Sequence, residues 1–364
     1  MKQLTVDLGE RSYPIYIGEG IISGLAATLA NHKIGTKSPI LVVTDENVAK
    51  FYLAQVKDSL EAGGYRVATA VVAPGEKSKS LAVLEDMITV ALEAGLDRSS
   101  AVIAIGGGVV GDLAGFVAAS YMRGIRFVQI PTTILAHDSS VGGKVAVNHK
   151  LAKNVIGAFH QPEFVLYDTA TLKTLPEREI RAGLSELVKE GFIWDREFVE
   201  WFDANTDKLL ALDSEALAHA LYIGCGVKAT VVSQDEREGG LRAILNLGHT
   251  IGHALEAVSG YDELLHGEAI AIGMVGAAML SEKLGNPGSI AVETERILRK
   301  LGLPVRIPSH LDTDAIMSAL MHDKKFKEGT MVFIIPTAIG EVEINSNVSS
   351  VWVREIVERL KGEA

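Results

Sequence analysis

Residues 101–115 read AVIAIGGGVVGDLAG, five apolar residues followed by a cluster of glycines. Because both faces of the apolar run are hydrophobic, it is typical of a strand buried in a parallel sheet. Glycines after such a strand let the backbone approach a phosphate, and a helix beginning near Gly111 would direct its free N–H groups at that phosphate. The segment therefore predicts a dinucleotide site at the carboxyl end of the sheet. The spacing differs from the usual G-x-G-x-x-G, so a tight turn without a ligand is the alternative.

The sequence around this segment alternates short β-branched runs with helical stretches. Strands are predicted at residues 39–44, 66–72, 101–105 and 125–130, and helices at 47–62, 80–95 and from about 111. This alternation predicts an α/β fold, with a parallel sheet and right-handed crossovers. The polar segments PGEKSK at 74–79 and PTT at 131–133 directly follow predicted strands, which would place them at strand ends.

The second half of the chain has a mostly helical period. Helices are predicted near 177–191, 196–211, 213–230, 243–258, 267–284 and 289–302, with one strand at 331–336 and a last helix at 349–361. Pro176, followed by acidic residues, is a suitable helix start. We therefore expect an α/β domain over residues 1–174 and a mainly helical domain over 175–364.

Composition limits the class of protein. The chain has 364 residues, 48% of them hydrophobic, which is enough for two domains of about 150 residues. Its net charge of -11 argues against nucleic acid as the main partner. A single cysteine, Cys225, is compatible with a reducing cytoplasm. The first residues do not resemble a signal peptide, and the longest apolar run, Ala269 to Leu280, is shorter than the roughly 20 residues that cross a bilayer. We expect a soluble, cytoplasmic protein.

Three histidines in a short segment suggest a metal site. His249 and His253 are four residues apart and share a helix face, and His266 precedes the next predicted helix. Glu186, flanked by apolar residues on an earlier helix, is a candidate third ligand. Two histidines and a carboxylate with an open position are typical of catalytic zinc. Scattered surface histidines are the alternative.

Basic and amide side chains recur in this acidic chain. If they converge, they would attract a small, multiply anionic substrate. Solvated surface lysines are the alternative for each of them. The candidates are Lys144, Lys153, Asn154, Lys189, Lys228, Arg242 and Lys324.

Six segments identify a family by their joint occurrence in one order. They are GGGVVGDLAGFVAASYMRG at 106–124, PTTILAHDSSVGGKVAVNH at 131–149, KNVIGAFHQP at 153–162, LKTLPERE at 172–179, LNLGHTIGHALE at 245–256 and HGEAIAIGM at 266–274. Together they resemble the 3-dehydroquinate synthases of the sugar phosphate cyclase superfamily, over essentially the whole chain. HDSSVGGK at 137–144 is similar to the shorter, bacterial version of its loop.

The resemblance implies an N-terminal Rossmann-like NAD domain and a mainly α-helical, metal-binding C-terminal domain, with the active site between them. It implies a phosphate-eliminating carbon–oxygen lyase of the shikimate pathway, which leads to chorismate and the aromatic amino acids. The substrate is 3-deoxy-D-arabino-heptulosonate 7-phosphate, a phosphorylated keto acid, and the products are 3-dehydroquinate and phosphate. The family reaction combines transient oxidation by NAD, phosphate elimination, re-reduction, ring opening and aldol closure. Bound NAD, a divalent metal (zinc, with cobalt possible) and a homodimer are also implied.

The resemblance also assigns residues. The metal ligands would be Glu186, His249 and His266. NAD contacts would be Asp45, Pro74, Gly75, Glu76, Lys77, Ser78, Lys79, Gly108, Val109, Val110, Gly111, Asp112, Thr132, Thr133, Lys144, Lys153, Thr171, Leu172, Lys173 and Thr174. Substrate-binding and catalytic residues would be Asp138, Lys144, Asn154, Lys189, Lys228, Arg242, Asn246, His253 and Lys324, with Arg123 reaching the substrate of a neighbouring subunit. Two positions depart from the common family pattern, Ala152 and Glu190.

Other functions remain open at this point. A different sugar phosphate cyclase would use similar NAD and metal chemistry, but it would not need groups that bind a substrate carboxylate. A metal-dependent polyol dehydrogenase with the same two-domain plan would accumulate NADH. A binding module without catalysis would leave the carboxylate, the histidines and the lysines without a purpose.

Overall fold

The computed structural model describes residues 1–260, 263–322, 326–327 and 330–361. The chain divides into two compact units. Unit 1 comprises Met1–Leu175 and Leu217–Ser233, and unit 2 comprises Pro176–Ala216 and Gln234–Ala364. The sequence-based boundary at 174/175 remains a prediction about functional domains; by spatial contact, residues 217–233 group with unit 1.

Unit 1 is an α/β unit built on a seven-stranded sheet of order β1-β2-β9-β6-β5-β3-β4, in which only β1 and β2 pair antiparallel. A separate hairpin pairs β7 with β8. The strands are β1 (Lys2–Val6), β2 (Tyr13–Gly18), β3 (Ile40–Asp45), β4 (Val67–Val72), β5 (Ala101–Gly106), β6 (Arg126–Pro131), β7 (Lys144–His149), β8 (Ala152–Phe159) and β9 (Phe164–Asp168). The helices are α1 (Leu25–Asn31), α2 (Glu46–Val48), α3 (Ala54–Ala62), α4 (Leu81–Glu93), α5 (Gly108–Ser120) and α6 (Ala136–Ser139).

The central strand β5 is buried on both sides, as its sequence predicts. Val102 and Ala104 pack into one apolar cluster with residues of α4 and α5, whereas Ile103 and Ile105 pack into a second cluster with residues of α1 and α3. Successive strand residues thus supply two cores, one on each face of the sheet. This arrangement places the glycine segment, which follows β5, at the carboxyl edge of the sheet.

Unit 2 is mainly helical and carries a three-stranded antiparallel sheet of order β10-β11-β12. Its helices are α7 (Glu177–Trp194), α8 (Arg196–Ala204), α9 (Thr206–Leu210), α11 (His249–Val258), α12 (His266–Lys283), α13 (Ser289–Lys300), α14 (Thr313–His322) and α15 (Ser350–Leu360). The strands are β10 (Phe326–Lys327), β11 (Thr330–Ala338) and β12 (Glu341–Val348), and α10 (Ser214–Gln234) lies mostly in unit 1.

The predicted architecture, an α/β part followed by a mostly helical part, is confirmed, but the bounds of some helices differ from the prediction. The helix predicted at 243–258 is wrong in its first part, because residues 241–246 form a 3-10 turn and Gly248, at φ +80°, precedes the true start at His249. The helix predicted at 196–211 is two helices that meet at Asn205.

Within the part of the chain that the structure describes, one helix, α10, is long and apolar enough to span a membrane by length and composition. Of its apolar window, 61% is buried inside the fold. Burial of this kind is expected of a core helix in a globular protein.

Candidate active site

Three helices of unit 2 bring Glu186, His249 and His266 together. Glu186 lies on α7 and is 1% exposed, while the two histidines are the first residues of α11 and α12. Glycines permit this approach: a Cβ added to Gly267 would meet the backbone of Ala182, and one added to Gly252 would lie 2.6 Å from Ile270 Cδ1. The α7–α12 and α11–α12 contacts therefore depend on positions that lack a side chain.

The donor atoms of this triad face one another. Glu186 Oε1 lies 3.9 Å from His249 Nε2 and 3.8 Å from His266 Nε2. All three ligand atoms lie within 4.8 Å of one another. Glu186 Oε1 is buried and accepts no hydrogen bond from any residue that the structure describes. A buried carboxylate oxygen facing two imidazole nitrogens suits a divalent cation such as zinc, so the donor set fits a metal.

The second ring nitrogen of each histidine has its own acceptor. His249 Nδ1 lies 3.2 Å from the carbonyl oxygen of Leu247, and His266 Nδ1 lies 3.1 Å from Glu256 Oε2. Protons on the Nδ1 atoms leave the lone pairs on the Nε2 atoms, which face Glu186. The sequence analysis did not identify Glu256. Its position seven residues after His249, on the same helix face, was the available signal.

Lys189 holds the other oxygen of Glu186. Its Nζ donates to Glu186 Oε2 at 2.6 Å and lies 3.5 Å from Glu190 Oε1, and all three side chains are at most 1% exposed. Because the ammonium occupies Oε2, Oε1 remains directed at the histidines. Glu190, the departure from the family pattern, is thus a second carboxylate beside the same ammonium.

The surroundings of the two histidines shift their pKa values in opposite directions. Burial, with the charge of Lys189 and the nearby imidazoles, holds the pKa of His249 well below its ordinary 6.5. Burial also acts to lower the pKa of His266, but the hydrogen bond with Glu256 and the charge of Glu186 outweigh it, so this pKa is raised. His249 is therefore neutral near pH 7, as a metal ligand must be.

The remaining predicted residues of unit 2 lie in different settings. His253 is exposed, and its ring centroid lies 5.2 Å from that of His249 and 5.9 Å from that of His266. Arg242 is buried and donates to the carbonyl oxygen of Glu236 at 2.6 Å. Asn246 donates to the carbonyl oxygen of Ala243 at 3.2 Å. Lys324 lies outside the described residues.

Asp235, which the sequence analysis missed, supports the loop that carries Arg242. Its carboxylate accepts backbone N–H bonds from Gly239 at 2.6 Å, Gly240 at 2.8 Å and Arg242 at 3.0 Å. These bonds, that of Arg242 foremost, hold the pKa of Asp235 below its ordinary value.

In unit 1 the glycine segment forms the predicted turn into a helix. Helix α5 begins at Gly108, three residues earlier than predicted, so Val109, Val110, Gly111 and Asp112 lie in its first turns. An added Cβ would lie 3.1 Å from Thr133 Cγ2 at Gly107 and 3.1 Å from Ser139 Oγ at Gly108. The N-terminus of α5 is therefore a backbone surface suited to an anion.

Lys79 joins predicted NAD and substrate residues in unit 1. Its buried Nζ donates to Asp112 Oδ2 and to Asn154 Oδ1, both at 2.6 Å. Asn154 adopts φ +56°, and its N–H donates to Asn148 Oδ1 at 3.0 Å, while the N–H of Asn148 donates to the carbonyl oxygen of Lys79 at 2.8 Å. Burial raises the pKa of Asp112, and the charge of Lys79 opposes this rise. The α5 start, the hairpin and the 74–79 segment thus form one network.

Two predicted substrate residues of unit 1 bind each other. Lys228 Nζ donates to the carbonyl oxygen and to Oδ1 of Asp138, both at 2.5 Å. Asp45 caps α2, because its Oδ1 accepts from the N–H groups of Asn47 and Val48. Of the others, Ser78, Thr132, Thr171 and Leu172 are buried, Gly108, Thr133 and Lys144 are half-buried, and Pro74, Gly75, Glu76, Lys77, Lys153, Lys173, Thr174 and Arg123 are exposed.

Two family profiles and a full-length relative indicate the same family. The profile described as 3-dehydroquinate synthase N-terminal matches residues 69–182, and that described as 3-dehydroquinate synthase C-terminal matches residues 183–326. A 3-dehydroquinate synthase from Desulforamulus reducens (strain ATCC BAA-1160 / DSM 100696 / MI-1) is 49% identical over 364 residues, which cover 99% of this chain and 100% of that protein.

Several solved structures have a similar fold. A 2-deoxy-scyllo-inosose synthase complexed with carbaglucose-6-phosphate, NAD+ and Co2+ is 26% identical, with a TM-score of 0.89, over 98% of this chain and 99% of that one. The 2-epi-5-epi-valiolone synthase of Streptomyces hygroscopicus subsp. jinggangensis 5008, with NAD+ and Zn2+ bound, is 26% identical with a TM-score of 0.87, over 97% and 98% of the two chains. A glycerol dehydrogenase from Schizosaccharomyces pombe shares the fold alone, at 17% identity and a TM-score of 0.69, over 95% of this chain and 88% of that one. With two family profiles covering most of its length and a full-length relative at 49% identity, this chain belongs to the 3-dehydroquinate synthase family.

Proposed function

We propose that this chain converts 3-deoxy-D-arabino-heptulosonate 7-phosphate to 3-dehydroquinate and phosphate, with NAD and a divalent metal, in the shikimate pathway. Family membership supports the reaction. The observation that carries the proposal within this chain is Glu186 Oε1, buried, without a described hydrogen-bond partner and facing two imidazole nitrogens.

Glu186, His249 and His266 would hold the metal, with zinc or cobalt as the candidate ions. A donor set of two imidazoles and one carboxylate leaves coordination positions open for substrate oxygens. When bound, the metal supplies a Lewis acid that makes a substrate hydroxyl more acidic, and NAD supplies a hydride acceptor that later returns the hydride, so it is not consumed.

The residues around the triad have supporting tasks. Lys189, by donating to Glu186 Oε2, keeps this carboxylate oriented toward the two histidines. His253 is exposed beside the two ligand imidazoles, which suits it to exchange protons between substrate and water. The elimination step needs a proton acceptor, and the departing phosphate oxygen is a second candidate for that task.

The cationic and amide residues would bind the substrate charge. A carboxylate and a phosphate together carry about -3 near neutral pH, since the second phosphate pKa is near 6. Lys228 is available as a buried ammonium fixed by Asp138, and Arg242 as a buried guanidinium on the loop that Asp235 supports. We assign the phosphate and carboxylate contacts to Lys144, Asn154, Lys228, Arg242, Asn246 and Lys324.

The NAD site would lie at the carboxyl edge of the unit 1 sheet. The start of α5 supplies free N–H groups for the pyrophosphate, and the residues at 74–79, 132–133 and 171–174 follow strands of the same sheet. We further propose a cytoplasmic homodimer in which Arg123 serves the neighbouring subunit, and functional domains divided at residues 174/175.

One assay tests the proposal. The purified protein is incubated with the heptulosonate phosphate and substoichiometric NAD, and phosphate, 3-dehydroquinate and the absorbance of reduced nicotinamide are followed. We expect phosphate and product in equal amounts with no accumulation of NADH. Accumulating NADH without phosphate release would indicate a polyol dehydrogenase, and turnover of a sugar phosphate lacking the carboxylate would indicate another cyclase. The His249→Ala variant should be inactive, and His310→Ala, which removes an exposed histidine of the same unit, should not.

A further inference from the structure

Glu256 contacts a proposed metal ligand without belonging to the ligand triad. It lies on α11, two turns after His249, and its side chain is 11% exposed. Its Oε2 is 3.1 Å from Nδ1 of His266, at the start of the next helix. Nε2 of the same imidazole lies 3.8 Å from Glu186 Oε1. One ring therefore connects two carboxylates, through opposite nitrogens.

The two opposite contacts have different chemical consequences. A carboxylate that accepts the Nδ1 proton fixes the tautomer, places the lone pair on Nε2 and makes that nitrogen a stronger donor to a metal. In the corresponding place, the partner of His249 among the described residues is the neutral carbonyl of Leu247, at 3.2 Å. The two imidazoles are thus supported unequally, one by a charge and the other by a backbone dipole.

We propose that Glu256 is a positioning residue, which acts through His266 to orient that imidazole and strengthen its bond to the divalent metal. The inference rests on the proposed metal site. It assigns to Glu256 a part in metal retention.

Contacts that do not involve Glu256 hold the start of α12 in place. Glu268, in the first turn of α12, accepts the N–H of Leu265 at 2.9 Å and receives two hydrogen bonds from Arg178 of α7, at 2.7 and 2.6 Å. These contacts fix the start of α12, where His266 lies, independently of Glu256. Removing the Glu256 carboxylate should therefore release the ring of His266 rather than unfold the helix.

The chain contains a matched pair for comparison. Glu263 Oε2 lies 3.1 Å from His310 Nε2, the same separation as in the Glu256–His266 pair, but these side chains are 40% and 64% exposed. Glu263→Gln removes the charge from a carboxylate–imidazole contact of the same length in the same unit, between two exposed side chains that do not belong to the ligand triad. It controls for the loss of one negative charge and one such contact.

The test measures zinc affinity of metal-free protein by competition with a chromophoric chelator. We expect Glu256→Ala to weaken zinc binding by roughly 10–100-fold, because outer carboxylates of metal-bound histidines contribute on this scale. Glu256→Gln keeps an oxygen acceptor but not the charge and should fall between Glu256→Ala and the unaltered protein. Glu263→Gln should bind zinc like the unaltered protein. The visible spectrum of the cobalt form should shift in the two Glu256 variants alone.

The outcomes separate this inference from the proposed function. Unaltered zinc affinity and an unaltered cobalt spectrum in both Glu256 variants would overturn the inference, while the unaltered protein's metal binding and phosphate release would leave the proposed function standing. If the unaltered protein bound no zinc and still released phosphate, the metal site itself would be refuted.

His253, Glu256 and His266 also offer donors within 4.8 Å of one another. A second zinc equivalent that disappears in Glu256→Gln, with the first unaffected, would show that Glu256 is itself a ligand and would overturn the positioning role. Matching circular dichroism and unfolding of all metal-free variants excludes a folding defect.

Discussion

Gly267 is the position at which one added methyl group should disrupt the metal site. It follows His266 on α12 and packs against Ala182, one turn before Glu186 on α7. A Cβ at this position would lie 2.6 Å from the carbonyl carbon and 2.8 Å from the Cα of Ala182, and closer still to its carbonyl oxygen. Ordinary van der Waals contact begins at 3.4 Å, so relieving the contact with the carbonyl carbon alone would require the two helices to separate by about 0.8 Å, and the closer oxygen requires more.

This separation is large for a metal site. Metal–ligand distances are tolerated to about ±0.2 Å, so moving Glu186 away from His266 by several times that amount should prevent all three ligands from binding one ion. We expect Gly267→Ala to lose roughly 100-fold in phosphate release, the scale of a 1 Å misplacement, together with most of its zinc affinity. Overpacking should also lower the free energy of unfolding by about 1–3 kcal/mol.

Gly276→Ala is the matched control on the same helix. There the added Cβ would meet the terminal Cδ1 of Ile251 at 2.5 Å, an atom that can move without displacing α7. Because only the end of a side chain must move, we expect this variant to lose less stability than Gly267→Ala and to retain its zinc affinity. Zinc titration, phosphate release and urea unfolding of the two variants give the comparison. Gly267→Ala that binds zinc as tightly as Gly276→Ala would refute the reasoning.

Three further predictions concern other parts of the chain. Lys79→Met leaves the half-buried Asp112 carboxylate without its cation and should reduce the free energy of unfolding by about 3 kcal/mol in denaturant titrations, whereas Lys77→Met, at an exposed site, should not; equal effects would argue against the pair. Asp235→Asn should raise KM for the substrate more than it lowers kcat. Because the native pKa of Asp235 is lowered, the stabilisation is present above its unfolded pKa of about 3.9 and is lost as the pH falls through the native value, so the variant's deficit in urea unfolding at pH 7 should shrink as the pH falls below about 3.9; a deficit that does not change with pH would contradict the assignment. Removal of metal with a chelator should abolish phosphate release, and free zinc at 100 times its Kd should restore it and stabilise the fold by about 2.7 kcal/mol; turnover by metal-free protein would contradict this.

The part of the fold that the sequence predicted best is the sheet interior. Strands such as β5 are apolar on both faces because helices cover both faces. Their burial can therefore be predicted from a run of consecutive apolar residues. Strand β9 was not predicted, and its partner β2 lies far away in the chain. The pairs β1–β2 and β7–β8 join neighbouring segments, but they were also not predicted, because β1 and β8 are largely exposed and carry no buried apolar run. The break before α11 was missed because it depends on the positive φ of Gly248, which composition alone does not reveal.

The candidate site shows the same limit. Spacing placed His249 and His253 on one helix face, but it could not decide which histidine meets Glu186. The structure selects His249 and His266, because α7, α11 and α12 approach one another at their glycines. Glu256 was missed for a related reason: its partner is on the next helix, and helix packing rather than sequence distance brings them together. The pairing of Lys228 with Asp138 was not predicted either, because it joins residues that are far apart in the chain.

We propose above that Glu186, His249 and His266 bind one divalent ion that the reaction needs. An anomalous-diffraction map of crystals of the active protein grown with zinc would locate this ion. We expect one strong peak within about 2.0–2.2 Å of Glu186 Oε1 and of the Nε2 atoms of both histidines. A peak bound to other residues, or an empty triad in protein that still releases phosphate from the substrate, would contradict it.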